Sequence, residues 1–495
     1  MITKDQNEDL SRRQKLDAWR DLGIELYPAV FNKKHTAAEI LALSNDSDLP
    51  VLEGSAVPKS AKVATAGRLM TIRPHGQLVF ANLQDQSGKI QIAFVQDTLD
   101  KKTWELVQLL DMGDIVGVSG VLVKTKRGEV TILVTELKPL AKALHPLPEK
   151  WHGLKDIEIK LRQRYLDLMT SQETRDLFLK KSKFWATARD FMSKAGFMEV
   201  DTPALEAVAG GADANPFVTH HDTLDQNFYL RISLELPLKR LLVGGFEKVF
   251  EIGKVFRNEG IDTEHLQDYD MCEFYWAYAN YENLMDFTQK MYQDIVQAIT
   301  GGLKTTYDGK EVDWSGVWPR KDYFELIKEI SGVNLAGMTD IEELQALLKK
   351  HKIRYEESMG AGRLIDLFWK KLVRPKVQGP LFLINHPVEV SPLAKRDPKN
   401  PERVQRMQII VAGSELGNGF SELNDPFDQR SRFEEQAKLR AAGDSEAMML
   451  DEDFITALEY GMPPAAGFGF SERLFAFIVD KPIRETVLFP PMRNK

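Results

Sequence analysis

The sequence predicts an α+β protein in which a small β-rich part precedes a larger part that mixes strands and helices. Three observations predict it. Residues 62–138 fall into short β-branched runs split by turn residues. Beyond residue 153, long amphipathic stretches alternate with strand-like ones. A chain of 495 residues is too long for one ordinary core and suits two or three domains. Hydrophobic residues make up 43% and charged residues 28%, the balance of a globular chain rather than a disordered one.

Taken in order, residues 1–59 read as a helical extension, opening with "EDLSRRQKLDAWRDLG" and stopped by Gly23. Its charge run reads as a solvated amphipathic face, or else as a contact to nucleic acid through Arg12, Arg13 and Lys15. Residues 60–147 come next. "KVATAGRLMTIR", "LVFANLQD" and "KIQIAFV" read as strands, "KKTWELVQLLDMGD" as a helix, and "IVGVSGVLVKTK" and "EVTILVTEL" as two more strands, with Gly128 turning the last hairpin. Three strands, a helix and two strands is the order of the five-stranded OB-fold barrel, which often binds oligonucleotides. On the residues alone the barrel is equally a structural module without a ligand.

"KALHPLPEKWHG", residues 142–153, carries two prolines and reads as a linker, and residues 148–495 form the large domain. There "ETRDLFLKKSKFWATARDFMSKAG" is a long amphipathic helix ended at Gly196, and "FMEVDTPAL" follows as a strand stopped at Pro203. Residues 321–373 look mostly helical and read as an insertion; strands resume after residue 380, and "ERLFAFIV" is a final helix.

Composition excludes several classes. Cys272 is the only cysteine, so neither an intramolecular disulfide nor a cysteine zinc cluster can form, and a reducing cytosol fits. No apolar run approaches the ~20 residues that span a bilayer, and the N-terminus lacks a signal peptide's apolar core. A cytoplasmic protein with no membrane partner is expected. A net charge of −8 argues against nonspecific coating of DNA or other nucleic acid. A local basic surface stays open, because residues 61–147 hold 11 Lys and Arg against 8 Asp and Glu.

The stretch "FRNEGIDTEH", residues 256–265, places Arg257, Glu259 and His265 on a loop between two strand-like segments. An arginine fork binds phosphate or carboxylate oxygens bidentately, so an anionic ligand is one reading and a surface hairpin with ion pairs is the other. Read with "ARDFMSKAGFMEVDTP", "GFGFSERLFAF", "EVSPLAKRDPKNPE" and "GSELGNGFSELNDP", the stretch is one of several motifs in an ordered set. From about residue 60 to its end the sequence resembles the class II aminoacyl-tRNA synthetases of subclass IIb, and within them most closely the lysyl members.

The resemblance implies an antiparallel catalytic sheet flanked by helices. It implies ATP and Mg²⁺ as requirements, L-lysine and tRNA(Lys) as partners, and a homodimer paired through residues 175–203. It assigns Arg257 to the α-phosphate and the amino-acid carboxylate, and Arg473 to the adenine face and γ-phosphate; both are the candidate catalytic groups. Glu259, His265, Tyr269, Glu415 and Asn418 complete the implied ATP site. Lysine binding falls to Glu422 and Tyr275 for the ε-ammonium and to Gly211, Glu235 and Glu273 for the α-ammonium, with Asn418 and Arg257 nearby. A buried ammonium needs a carboxylate, which is why Glu422 speaks for lysine over aspartate or asparagine. Arg73, Phe80, Gln91 and Glu129 would read the anticodon from the barrel, although Phe80 is equally a core aromatic on its own sequence.

Three departures accompany the match. Glu415 is an acidic metal-ligand position, but its expected partner is Gln408, whose amide brings no charge to Mg²⁺. The third motif is a residue short, with Ser471 and Glu472 before Arg473, and Tyr269 stands where Phe is usual. The rival readings are an aspartyl or asparaginyl enzyme, a ligase that lysylates a protein, and a non-catalytic tRNA-binding paralogue.

Overall fold

The computed structural model describes residues 4–45, 48–54, 56–148, 156–260, 262, 265–357, 359–444 and 446–493. The chain divides into two compact units, Met1–Lys155 and Asp156–Lys495.

In the first unit, helices α1 (Lys4–Asp21) and α2 (Ala37–Asn45) precede strands β1 (Lys62–His75), β2 (Leu78–Gln84) and β3 (Lys89–Val95). Helix α3 (Lys101–Gln108) follows, and then β4 (Ile115–Lys124) and β5 (Val130–Ala141). The strands close a barrel in the order β1-β2-β3-β5-β4. The expected order of elements stands because each boundary has a local cause. Asp100 accepts the Thr103 amide and caps α3, while Gly128, at φ +84°, makes the β4–β5 turn that a side chain would resist.

The N-terminal extension is not the solvated arm the charge run suggests. Leu16 and Trp19 lie one turn apart on α1 and are buried in the barrel's own core. That stripe carries Arg12 inward, where it donates to the Met112 and Ala143 carbonyls at 2.9 and 3.1 Å. Lys15 meets Asp111 at 2.6 Å. Two of the three cations offered to nucleic acid therefore fasten the helix to the barrel. The linker reading shifts as well: Lys142 is buried between Asp111 and Asp114 at 2.7 and 2.8 Å, and residues 149–153 lie outside the described residues.

The second unit opens with α4 (Ile157–Arg162), α5 (Arg164–Thr170) and α6 (Gln172–Lys194). Its strands are β6 (Met198–Glu199), β7 (Leu205–Glu206), β8 (Val218–His221), β9 (Gln226–Leu230), β10 (Lys248–Phe256) and β11 (Asp268–Ala277), with α7 (Glu235–Val243) before β10. Then come α8 (Tyr281–Thr300), the hairpin β12 (Lys304–Tyr307) and β13 (Lys310–Asp313), and β14 (Arg320–Asp322). Helices α9 (Tyr323–Ser331), α10 (Ile341–Lys350) and α11 (Ala361–Phe368) lead into β15 (Leu381–Ile384), β16 (Arg406–Val411) and β17 (Ser414–Ser421). The chain finishes with α12 (Pro426–Ala441), α13 (Glu452–Glu459), β18 (Ala465–Ser471) and α14 (Arg473–Ile478).

Eight strands form the main sheet in the order β14-β15-β16-β17-β18-β11-β10-β6. It is antiparallel except at its two edges, where β14 runs parallel to β15 and β6 to β10. Helices α6 and α8 pack together against it, with Phe184 and Tyr292 in one core with Phe274 and Phe468. The strand expected to run to Pro203 ends at Glu199, because the Thr202 amide and hydroxyl turn to the Glu251 carboxylate at 3.2 and 2.7 Å instead of a ladder partner. The helical stretch 321–373 is tied to the sheet: β14 pairs with β15, and Leu364 and Phe368 share a core with Leu383 and Ile410. Among the described residues no helix is long and apolar enough to cross a membrane.

Candidate functional site

A cavity of about 1130 Å³ opens over the middle of the sheet, on the strands β17, β18 and β11 that neighbour one another in the sheet order. Its two ends differ in charge. One end gathers carboxylates. Glu273 projects from β11 and is buried, accepting from Ser233 Oγ at 2.7 Å, from the Leu234 amide at 2.9 Å and from the Tyr275 hydroxyl at 3.0 Å. Glu235 begins α7 and lines the cavity, and Glu422 follows directly on β17 just behind the cavity wall at Gly467; both are buried.

Between these last two lies a group the sequence reading passed over. Lys239, one turn after Glu235 on α7, is fully buried; it donates to Glu235 at 2.5 Å and pairs with Glu422. Its ammonium also faces the rings of Phe420 and Phe454 at 5.4 and 5.9 Å. Burial alone would strip its proton, but Glu235 and Glu422 together hold its pKa above the ordinary value. Burial likewise pushes Glu235 up to about 7 and Glu273 above its usual range, and Glu422 well above it. Burial and the carboxylates keep Tyr275 a neutral phenol that donates. Glu235 and Glu422 thus share the Lys239 ammonium, while Glu273 is held by hydroxyl and amide donors.

Glycine makes this end possible at Gly467 on β18. A Cβ there would collide with the Tyr275 ring and the Glu422 carboxylate. Gly211, at φ +85°, brings the loop before β8 against Ser233 and the Glu235 side chain.

The other end gathers arginines. Arg257 leaves β10, donates from Nε to the Ile232 carbonyl at 3.2 Å, and sits with its guanidinium 5.6 Å from the Tyr269 ring. The loop beyond it is pinned by Gln267, which donates to the Glu259 and Gly260 carbonyls at 3.2 and 3.1 Å. His265 is half-exposed and meets Asp262 at 2.7 Å; residues 261, 263 and 264 lie outside the described residues. Arg473 enters the cavity from the first turn of α14. The shortened third motif keeps its register, Ser471 opposite Met271 and Gly469 opposite Glu273. Glu472, fully buried, holds this turn by pairing with Lys181 of α6 and accepting the Asp270 amide at 3.2 Å. Neither Lys181 nor that use of Glu472 is visible in a local motif.

The expected metal position is furnished differently. Gln408 Oε1 accepts from Nε2 of His386 at 3.1 Å, and Asn418 Oδ1 from Arg406 at 2.8 Å. Glu415 has the Arg374 guanidinium 3.9 Å away. Among the described residues no group of three or more His, Cys, Asp or Glu is placed to hold a metal. This donor set does not fit a magnesium ion held by the protein, since the one carboxylate already faces a cation and the amide oxygen is engaged.

In the barrel, Arg73 on β1 stands opposite Phe80 on β2. Phe80 is partly exposed, outside the barrel core, and meets the His75 ring edge-on at 6.4 Å. Gln91 donates to Glu129 at 2.6 Å and accepts from Thr131 at 2.8 Å, so both ends of its amide are engaged.

Two family profiles match the chain. Residues 63–140 match the OB-fold nucleic acid binding domain, and residues 156–493 match the class II tRNA synthetases (D, K and N). The chain is similar to lysine–tRNA ligases along its length. It is 46% identical over 486 residues to that of Carboxydothermus hydrogenoformans, covering 98% of this chain and 97% of the relative. It is 45% identical to that of Thermoanaerobacter pseudethanolicus, covering 100% and 97%. It is 42% identical to that of Staphylococcus epidermidis, covering all of both chains.

Proposed function

The chain belongs to the class II tRNA synthetases and joins lysine to tRNA in an ATP-driven reaction, and from that premise we propose how its residues divide the work. The observation that carries the proposal is the gathering of three buried carboxylates, Glu235, Glu273 and Glu422, about one end of the cavity. Lysine brings two ammonium groups. Its ε-ammonium lies between Glu422 and the Tyr275 hydroxyl, and its α-ammonium by Glu235, Glu273 and Gly211. An aspartate or asparagine side chain would meet repulsion or an unpaired carboxylate here.

The lysine carboxylate then points to Arg257, which also binds the ATP α-phosphate and stabilises the charge that builds as the carboxylate attacks in line. Glu259 and His265 hold the nucleotide, Tyr269 and Arg473 take the two faces of the adenine, and Asn418 borders both substrates. No acid, base or covalent nucleophile is required, because placement and electrostatics suffice for adenylate formation. Magnesium enters this reading as the counter-ion that ATP carries in solution, with Glu415 beside it; the protein's donors do not supply a closed site. Lysyl-adenylate passes its lysine to the 3′ end of tRNA(Lys), whose anticodon is gripped in the barrel by Arg73, Phe80, Gln91 and Glu129. The enzyme works in the cytoplasm as a homodimer. The exposed apolar side chains Leu179, Met198 and Leu205 on α6 and the strands after it support the pairing; a monomer by light scattering at micromolar concentration would remove it.

The deciding experiment is amino-acid-dependent exchange of labelled pyrophosphate into ATP across all twenty amino acids. Lysine alone supports exchange, and Glu422→Gln abolishes it while ATP still binds. Exchange with aspartate or with no amino acid would refute the assignment. Phe80→Ala leaves exchange intact and lowers tRNA charging by roughly tenfold, the worth of one stacked base; equal charging would free the barrel of that role.

A further inference from the structure

The mismatch at the metal position points to what does the metal's work. We propose that Arg374 and Lys370 bind the outer phosphates of ATP, and of the pyrophosphate that leaves, so that the protein needs no magnesium ion of its own there. This rests on the ligase reading above.

The segment that carries these cations is built to present them. After α11 the chain makes a π-helical turn, Trp369–Val373, and Trp369 and Val373 are buried on its inner side. Such turns are frequent at functional sites. Lys370 and Arg374, four residues apart, then both line the cavity with Arg257 and Arg473. Lys370 is steadied by Asp366 at 2.8 Å. Arg374 lies 3.9 Å from Glu415, and its Nε is buried with no hydrogen-bond partner among the described residues. A guanidinium with an unused buried donor suits a bidentate oxyanion such as phosphate.

Gln408 completes the exchange of roles. His386 is buried beside it. Its Nε2–H occupies Gln408 Oε1 at 3.1 Å. The amide NH₂ is then what Gln408 offers to the cavity it lines, a donor for a phosphate oxygen rather than an acceptor for a cation. Two protein cations, one of them paired with Asp366, and an amide donor thus surround Glu415. A polyphosphate satisfies that arrangement, whereas a divalent cation would add to charge already present.

The test is calorimetric titration of the full chain with ATP in excess EDTA. Wild type binds metal-free ATP, and Arg374→Met and Lys370→Met each weaken that binding by about tenfold or more, as the loss of a charge-assisted contact requires. Lysine titrated into the same variants binds as in wild type, which establishes that they are folded. Wild type that binds ATP only when magnesium is present, or variants that bind metal-free ATP unchanged, would overturn the proposal. Loss of lysine-dependent exchange in wild type with metal-free ATP binding intact would strike the ligase reading and leave the phosphate site standing.

Discussion

The two ends of the cavity solve the same problem, recognition of charge, in opposite ways. At the carboxylate end, Glu235, Glu273, Glu422 and Lys239 are all buried, and each has partners within the protein. At the arginine end, His265 and Lys370 keep roughly half their side chains in solvent, 47% and 48%. On the proposed assignment lysine must be told apart from similar small molecules at the first end, which is dry and arranged in advance, so that an unmatched charge is costly. On the same assignment ATP must release pyrophosphate at each turnover from the other end, where Lys370 stays in part-contact with solvent beside the more buried Arg374.

The sharpest way to break this comparison is Lys239→Met. It leaves Glu235 and Glu422 facing each other without a counter-charge, and costs about 3–5 kcal/mol of folding stability, the usual penalty for stranding a buried ion. Denaturant unfolding checks it; a loss below about 1 kcal/mol would mean the pair is solvated and the contrast false.

A smaller effect comes from pH. Glu235 holds its proton up to about 7 in the free protein against an ordinary 4.5. Lysine binding requires the ionised form, so lysine affinity falls as pH drops below about 7, by up to about tenfold per unit. ATP affinity should not follow it. The sign for stability is the reverse: a carboxyl with a raised folded-state pKa contributes fully below about 4.5 and loses that contribution as pH rises through about 7. The rise in Tm produced by lysine therefore grows between pH 6 and pH 8, and a constant rise would assign the proton elsewhere.

The mildest probe is ionic strength. Raising salt from about 0.05 to about 0.5 M shortens the Debye length several-fold, which raises KM for ATP a few-fold and barely moves KM for lysine. Equal responses would erase the difference between the ends.

The barrel's order was legible because each element declares itself locally. "KIQIAFV" becomes β3 residue for residue, Lys89–Val95, since Ile90, Ile92 and Phe94 fall at every second position and enter the barrel core together. The residues that resemblance named at the catalytic site also converge: Arg257, Glu235, Glu273, Tyr275 and Arg473 line one cavity. Lys239 was not legible. In "SLELPLKR" it reads as an ordinary helix cation, and nothing local reveals that its helix turns it into a pocket shared with Glu422. Arg12 and Lys15 failed in the same way, as charges that looked solvated and proved to be fasteners of α1. Gln408 could be marked as odd from the sequence, but its partner His386 and the neighbouring Arg374 could not be named.

By itself the sequence determined the barrel's elements and their order and the family's set of polar residues, because periodicity, caps and turn glycines act over a few residues. The tertiary structure alone decided which charges are paired. Coulomb energy and desolvation depend on distance and burial between segments far apart in the chain, and Glu235, Lys239 and Glu422 meet only where α7 packs beside the end of β17.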